Sequence, residues 1–266
     1  MTRRRSLLAF AFVPLALAVL APPVASAAPA RPRAAKTTFT DAQIADGFFK
    51  VAFGAEYRLA GPSDRIRKFT QPVRVAIDGA KSPRRRATLE NVVATIGARI
   101  AHLDIALAAA GQAANLTVTL VRDRDMRRTI ETRLGKEHAR AIRRRLDPQC
   151  LSGFRRNERF AIERAEVILA VDTDDFTFRD CAYEEMLQAL GPINDTDTVP
   201  WTMFNDAVRT GAFGVYDQLL LNILYDPRIR PGMSATEVKA LLPQVLPDVR
   251  AFVASHPSLP RERGRD

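Results

Sequence analysis

Cysteine and histidine are scarce here, with two of the first and three of the second in 266 residues. Zinc ribbons and histidine-rich metal centres need such ligands clustered, so both are excluded. Tryptophan occurs once, and aromatic residues make up only 7%. Glycine (13) and proline (17) are at ordinary levels and 47% of residues are hydrophobic, which excludes collagen-like, low-complexity and disordered readings. After the first thirty residues no apolar run approaches the ~20 residues that cross a bilayer. What remains is a chain of one-domain size with ample material for a core.

The first thirty residues carry an address. Thr2-Arg3-Arg4-Arg5 is a basic start, Leu7 through Leu20 is apolar, and Ala25-Ser26-Ala27 is a small-x-small cleavage site. These are the three parts of a secretory signal peptide, expected over residues 1–27. Pro14 breaks the apolar run and Pro22-Pro23 follow it, which disfavours a retained anchor. Residues 28–36 read as a flexible tether, 37–256 as a single domain in two lobes, and 257–266 as a frayed tail. The expected location is periplasmic or extracellular, without stable membrane insertion. In an oxidising compartment Cys150 and Cys181 are expected to form a disulfide. The chain-entropy model puts its contribution at roughly 3–4 kcal/mol.

The middle of the chain alternates helix and strand. Thr40 with Gln43 fits a capping box, opening a helix that faces Ile44, Phe48 and Val51 or Ala52 inward. Val73, Val75 and Ile77 alternate as in a half-buried strand. Ser82-Pro83 opens a helix whose stripe runs through Leu89, Val92, Val93, Ile96, Ile100, Leu103 and Leu107. His102 lies beside that stripe with no companion at ligand spacing. Leu116, Val118 and Leu120 predict a second strand. Met126, Ile130 and Leu134 predict a helix continuing through 139–146. AEVILAV at 165–171 is apolar nearly throughout and predicts a central strand. Helices are expected around 180–190, at Val215–Leu224, and after the Ser234/Glu237 capping box. The expected class is α+β or α/β, a mixed sheet packed with helices and a helical C-terminal lobe.

The formal net charge is +10, from 40 Lys+Arg against 30 Asp+Glu. The densest basic stretch, Arg140 through Arg164, has only Phe154 and Phe160 for stacking, so no nucleic-acid partner is expected. A solvated face, or a patch attracted to anionic envelope polymers, fits better.

The segment from Cys181 to Asp197 carries the most information. Glu184, Glu185, Gln188, Gly191 and Asn194 fall at the spacing H-E-x-x-H-x-x-G-x-x-H of metzincin zinc proteases. In that motif two ligands four residues apart share a helix face, and the glycine lets the chain return a third. The carboxylate at its second position activates a metal-bound water. Here Glu185 and Gly191 are retained, while Glu184, Gln188 and Asn194 replace the histidines. One carboxylate and two amides are a poor zinc site, so no metal and no cofactor is expected. Asp195 and Asp197 lie close enough in sequence to add charge.

Together with EEMLQALGPINDTD, the stretches WTMFND (201–206) and YDPRIRPGM (225–233) resemble an uncharacterised bacterial family of exported zincin-like proteins known by a domain-of-unknown-function label. The resemblance covers about residues 40–255 and implies a metzincin-like fold whose motif helix has lost its zinc ligands. Three readings follow. The first is a catalytically degenerate domain that binds or scaffolds an envelope polymer or protein. The second is a metal-independent hydrolase of envelope glycans, pairing Glu185 or Glu184 with Asp195 or Asp197. The third is an atypical metalloprotease. Met203 and Met233 are expected in the core, Trp201 either lines a groove or plugs the lower lobe, and Asp226-Pro227 through Pro231-Gly232 reads as a rigid connector.

Overall fold

The computed structural model describes residues 36–53, 64–136, 149–192, 194–205 and 207–256. The expected signal peptide, nearly all of the tether, the 139–146 helix extension and the tail lie outside the described residues.

Helix α1 (Asp41–Ala52) starts at the predicted capping box. Gln43 N donates to Thr40 Oγ1 (3.2 Å) and Thr40 N donates to Gln43 Oε1 (3.1 Å). Ile44, Phe48 and Val51 are buried, as their spacing requires. The sheet and its crossovers follow as β1 (Lys68–Phe69), β2 (Val73–Gly79), α2 (Pro83–Arg99), β3 (Ile105–Leu107), β4 (Leu116–Val121), α3 (Met126–Arg133), β5 (Cys150–Arg156) and β6 (Ala161–Ala170). Three more helices complete the described chain: α4 (Asp175–Gln188), α5 (Val215–Tyr225) and α6 (Ala235–Ser255). The Ser234/Glu237 box opens α6 as predicted.

Strands β3, β2, β4 and β6 pair in parallel in that order, and β1 pairs in parallel with the first residues of β6. The sheet is mixed because β5 runs antiparallel to β6. β6 lies inside the sheet, between β4 and β5, rather than at its centre, and its two buried faces explain its apolar run. Val167 and Leu169 enter the main core, while Ile168 and Ala170 pack with Met126 and Ile130 of α3 on the other side. Met203 and Met233 are in the main core, and Trp201 packs against the touching rings of Phe39 and Tyr216. No helix among the described residues is long and apolar enough to cross a membrane.

Two elements differ from expectation. α2 ends at Arg99, short of the stripe's last members, because Asn222 of α5 intervenes. Its amide accepts from Ala101 N (2.8 Å) and donates to Arg99 O (2.8 Å), and Leu107 then belongs to β3 rather than to the helix. β5 was hidden in the basic stretch. Its turn into β6 is closed by Asn157 Oδ1, which accepts from Arg159 N and Ala161 N, with Phe160 at φ 65°.

Candidate functional site

Helix α4 follows β6 directly and carries the motif. Asp174 caps it, accepting from Thr177 N at 3.0 Å. Cys181, in the middle of α4, is disulfide-bonded to Cys150 at the start of β5, with Cα atoms 5.8 Å apart. The bridge fixes the motif helix against β5, which runs antiparallel to β6.

Beyond the bridge, Glu184 is half-buried, while Glu185 and Gln188 are buried at 7% and 5% exposure. Gln188 stands between two elements. Its Oε1 accepts from Ser152 Oγ of β5 (3.3 Å), and its Nε2 donates to Asp195 Oδ1 (2.6 Å). Asn194 turns elsewhere, donating from Nδ2 to the Lys50 carbonyl at the end of α1 (2.7 Å). Gln188 and Asp195 are therefore brought together, and Asn194 is directed to a different element. Asp197 is exposed.

Gly191 ends the motif helix, but not through the left-handed cap that the spacing suggests. Its φ is 139°, far from the ~57° of a left-handed helical residue. Its N–H donates to Gln188 O (2.9 Å), tightening the last turn. A Cβ here would sit 2.2 Å from the Arg67 carbonyl oxygen. Glycine is thus required for backbone angle and for close approach together.

Arg67 runs past this point with its guanidinium buried. Nη2 donates to Ala52 O (3.1 Å), and burial, helped by Arg156, lowers its pKa to about 10. The end of α4 is also tied to the C-terminal helices, because Tyr225 donates its hydroxyl proton to Leu190 O (2.8 Å). Next to it Asp226 takes Arg228 through two carboxylate oxygens (2.8 and 2.6 Å), and Arg228 reaches on to Asp248 of α6 (2.7 Å).

These residues do not fit zinc. At two of the three ligand positions the side chains are amides, a poor donor type for this ion. Both amides already hydrogen-bond protein groups in different directions. Among the described residues no group of three or more His, Cys, Asp or Glu side chains is gathered to hold a metal ion.

Sequence reasoning missed Ser152, because β5 carried no strand signal, and Arg67, whose role depends on a contact with a distant glycine. It also missed Asp217 on α5. This carboxylate is fully buried and accepts from Thr202 Oγ1 (2.6 Å) and Met203 N (3.3 Å). Burial, opposed by those hydrogen bonds, pushes its pKa up to about 7. A single acid in the first turn of a largely apolar helix was the available signal.

A family model described as "Protein of unknown function (DUF2927)" matches residues 41–244. No curated protein and no solved structure matches the chain.

Proposed function

From the premise that the chain belongs to the DUF2927 family, whose description carries no activity, we propose that it is an exported, zincin-like cell-envelope domain. In this reading it has given up zinc chemistry and acts by binding or scaffolding an envelope polymer or protein. The observation that carries the proposal is Gln188, held between Ser152 and Asp195 at a position that a zinc ligand would occupy. Kinship with zincins is supported by a mixed sheet whose last parallel strand leads into the motif helix and its glycine exit. Export is supported by the N-terminal pattern and by the disulfide, which persists in oxidising compartments.

The test is metal content. Protein recovered from an oxidising compartment, without chelator or metal-affinity resin, is expected to carry no stoichiometric zinc. About one zinc per chain would overturn the proposal and promote the metalloprotease reading. Cell fractionation tests the export part separately, with the processed chain expected outside the cytoplasm.

A further inference from the structure

The connector between α5 and α6 forms one wall of a cleft of about 370 Å³, through Pro227, Ile229, Arg230 and Pro231. The segment from Lys68 to Pro72 lines it as well, and His102, Leu103, Asp104 and Tyr225 complete the lining. That volume suits a small ligand. The walls are stiff, because Pro72, Pro227 and Pro231 fix backbone angles and the Asp226–Arg228–Asp248 chain pins the connector to α6.

Cations outnumber carboxylates on the lining, with Lys68 and Arg230 against Asp104. Asp104 is already held by Arg74 through two hydrogen bonds (2.8 and 3.1 Å), and nearby Asp226 by Arg228. The cations are less fully engaged. Lys68, only 7% exposed, donates to the Leu224 and Asp226 carbonyls (2.9 and 3.1 Å), and its Nζ lies 5.5 Å from the Tyr225 ring centroid, so one N–H of its three has no oxygen acceptor. Burial draws its pKa down to about 8, opposed by Asp226, so a further negative charge nearby would be favourable. The side chains of Arg230 and His102 are exposed; Glu237 lies near the first and Asp226 near the second, with no close ion pair formed among the described residues.

We infer that this cleft binds a small ligand through a phosphate or carboxylate group, taken by Arg230 with Lys68 adding positive charge and the His102 ring beside them. Phe69, Leu103 and Ile229 offer apolar surface to the rest of the ligand. Lys68 also closes the C-terminal end of α5, a structural role that cations commonly fill. Arg230 is therefore the discriminating residue, since its exposed side chain can be changed without disturbing a helix end.

The experiment is a titration of protein expressed from the full sequence, with inorganic phosphate and separately with acetate. Ionic strength is held constant with chloride, and the His102 imidazole resonances are followed by NMR. A saturable His102 shift is expected with at least one anion, and the one saturating at lower concentration identifies the group preferred. R230Q is expected to weaken that binding about tenfold or more, the loss of a charge-assisted hydrogen bond. No saturable shift with either anion, or a smaller loss in R230Q, would overturn the inference. Because Arg230 lies outside the motif, either result leaves the zinc measurement to decide the proposed function independently.

Discussion

Helices α4 and α5 both bury polar side chains, among them Asp180, Glu185 and Gln188 on one and Asp217, Gln218 and Asn222 on the other. By sequence they look unlike: α4 reads as the remains of a catalytic motif, α5 as a core helix. In the fold they do similar work. Asp180 accepts from the Thr210 and Gly211 amides (3.0 and 2.6 Å), and Gln188 holds Asp195. Asp217 accepts from Met203 N, Gln218 donates to Phe213 O (2.8 Å), and Asn222 closes the end of α2. Loops packed against helices leave backbone groups that need partners, and buried helix side chains supply them. A polar face on a helix is thus insufficient evidence of chemistry, even at the spacing of a catalytic motif.

The largest effect is expected at the exit of α4. Gly191→Ala places a methyl group 2.2 Å from the Arg67 carbonyl oxygen at a φ of 139°, and should cost at least about 4 kcal/mol. Urea unfolding measures it. A cost under about 1 kcal/mol would mean that the segment yields and the glycine has no geometric role.

On α5 the test is pH. The folded pKa of Asp217 is about 7 against 3.8 for the ordinary group. The folded state therefore keeps a proton that the unfolded chain releases. Stability contributed by this group is present below about pH 4, falls as pH rises towards 7, and stays low above it. The loss amounts to at most about 4 kcal/mol. Subtracting the Asp217→Asn stability curve from the wild-type curve should give a difference that falls across that window. A flat difference would show that Asp217 ionises as readily folded as unfolded.

Asn222→Ala sharpens the same comparison. It removes the partners of Arg99 O and Ala101 N, for a loss of about 2–3 kcal/mol. Hydrogen exchange should rise at the end of α2 while α4 is unaffected. Uniform loosening of both helices would contradict a local role.

Much of this fold was legible from short-range patterns. The capping boxes at Thr40 and Ser234, the alternation in β2 and β4, and the apolar run of β6 each depend on a few neighbouring residues, and the elements formed there. What failed depended on long-range partners. The α2 stripe runs past Arg99 in sequence, and only Asn222, supplied by α5, ends the helix. β5, CLSGFRR, has no strand pattern of its own and is set by pairing with β6 and by the bridge from Cys150 to Cys181. At the candidate site the same division holds. Gly191 could be identified as the exit of a helix, but the carbonyl that requires it comes from Arg67. The connector at 226–232 was recognisable as rigid, yet its place beside Lys68 and His102 was not.

The account rests most heavily on Gln188 being a structural residue, and a double-mutant cycle between Gln188→Met and Asp195→Ala tests this directly. The 2.6 Å bond between them predicts a coupling free energy of about 1–2 kcal/mol in unfolding experiments, with Gln188→Met alone destabilising. Zero coupling, with Gln188→Met as stable as the wild type or more so, would contradict it and return Gln188 to the list of residues kept for chemistry.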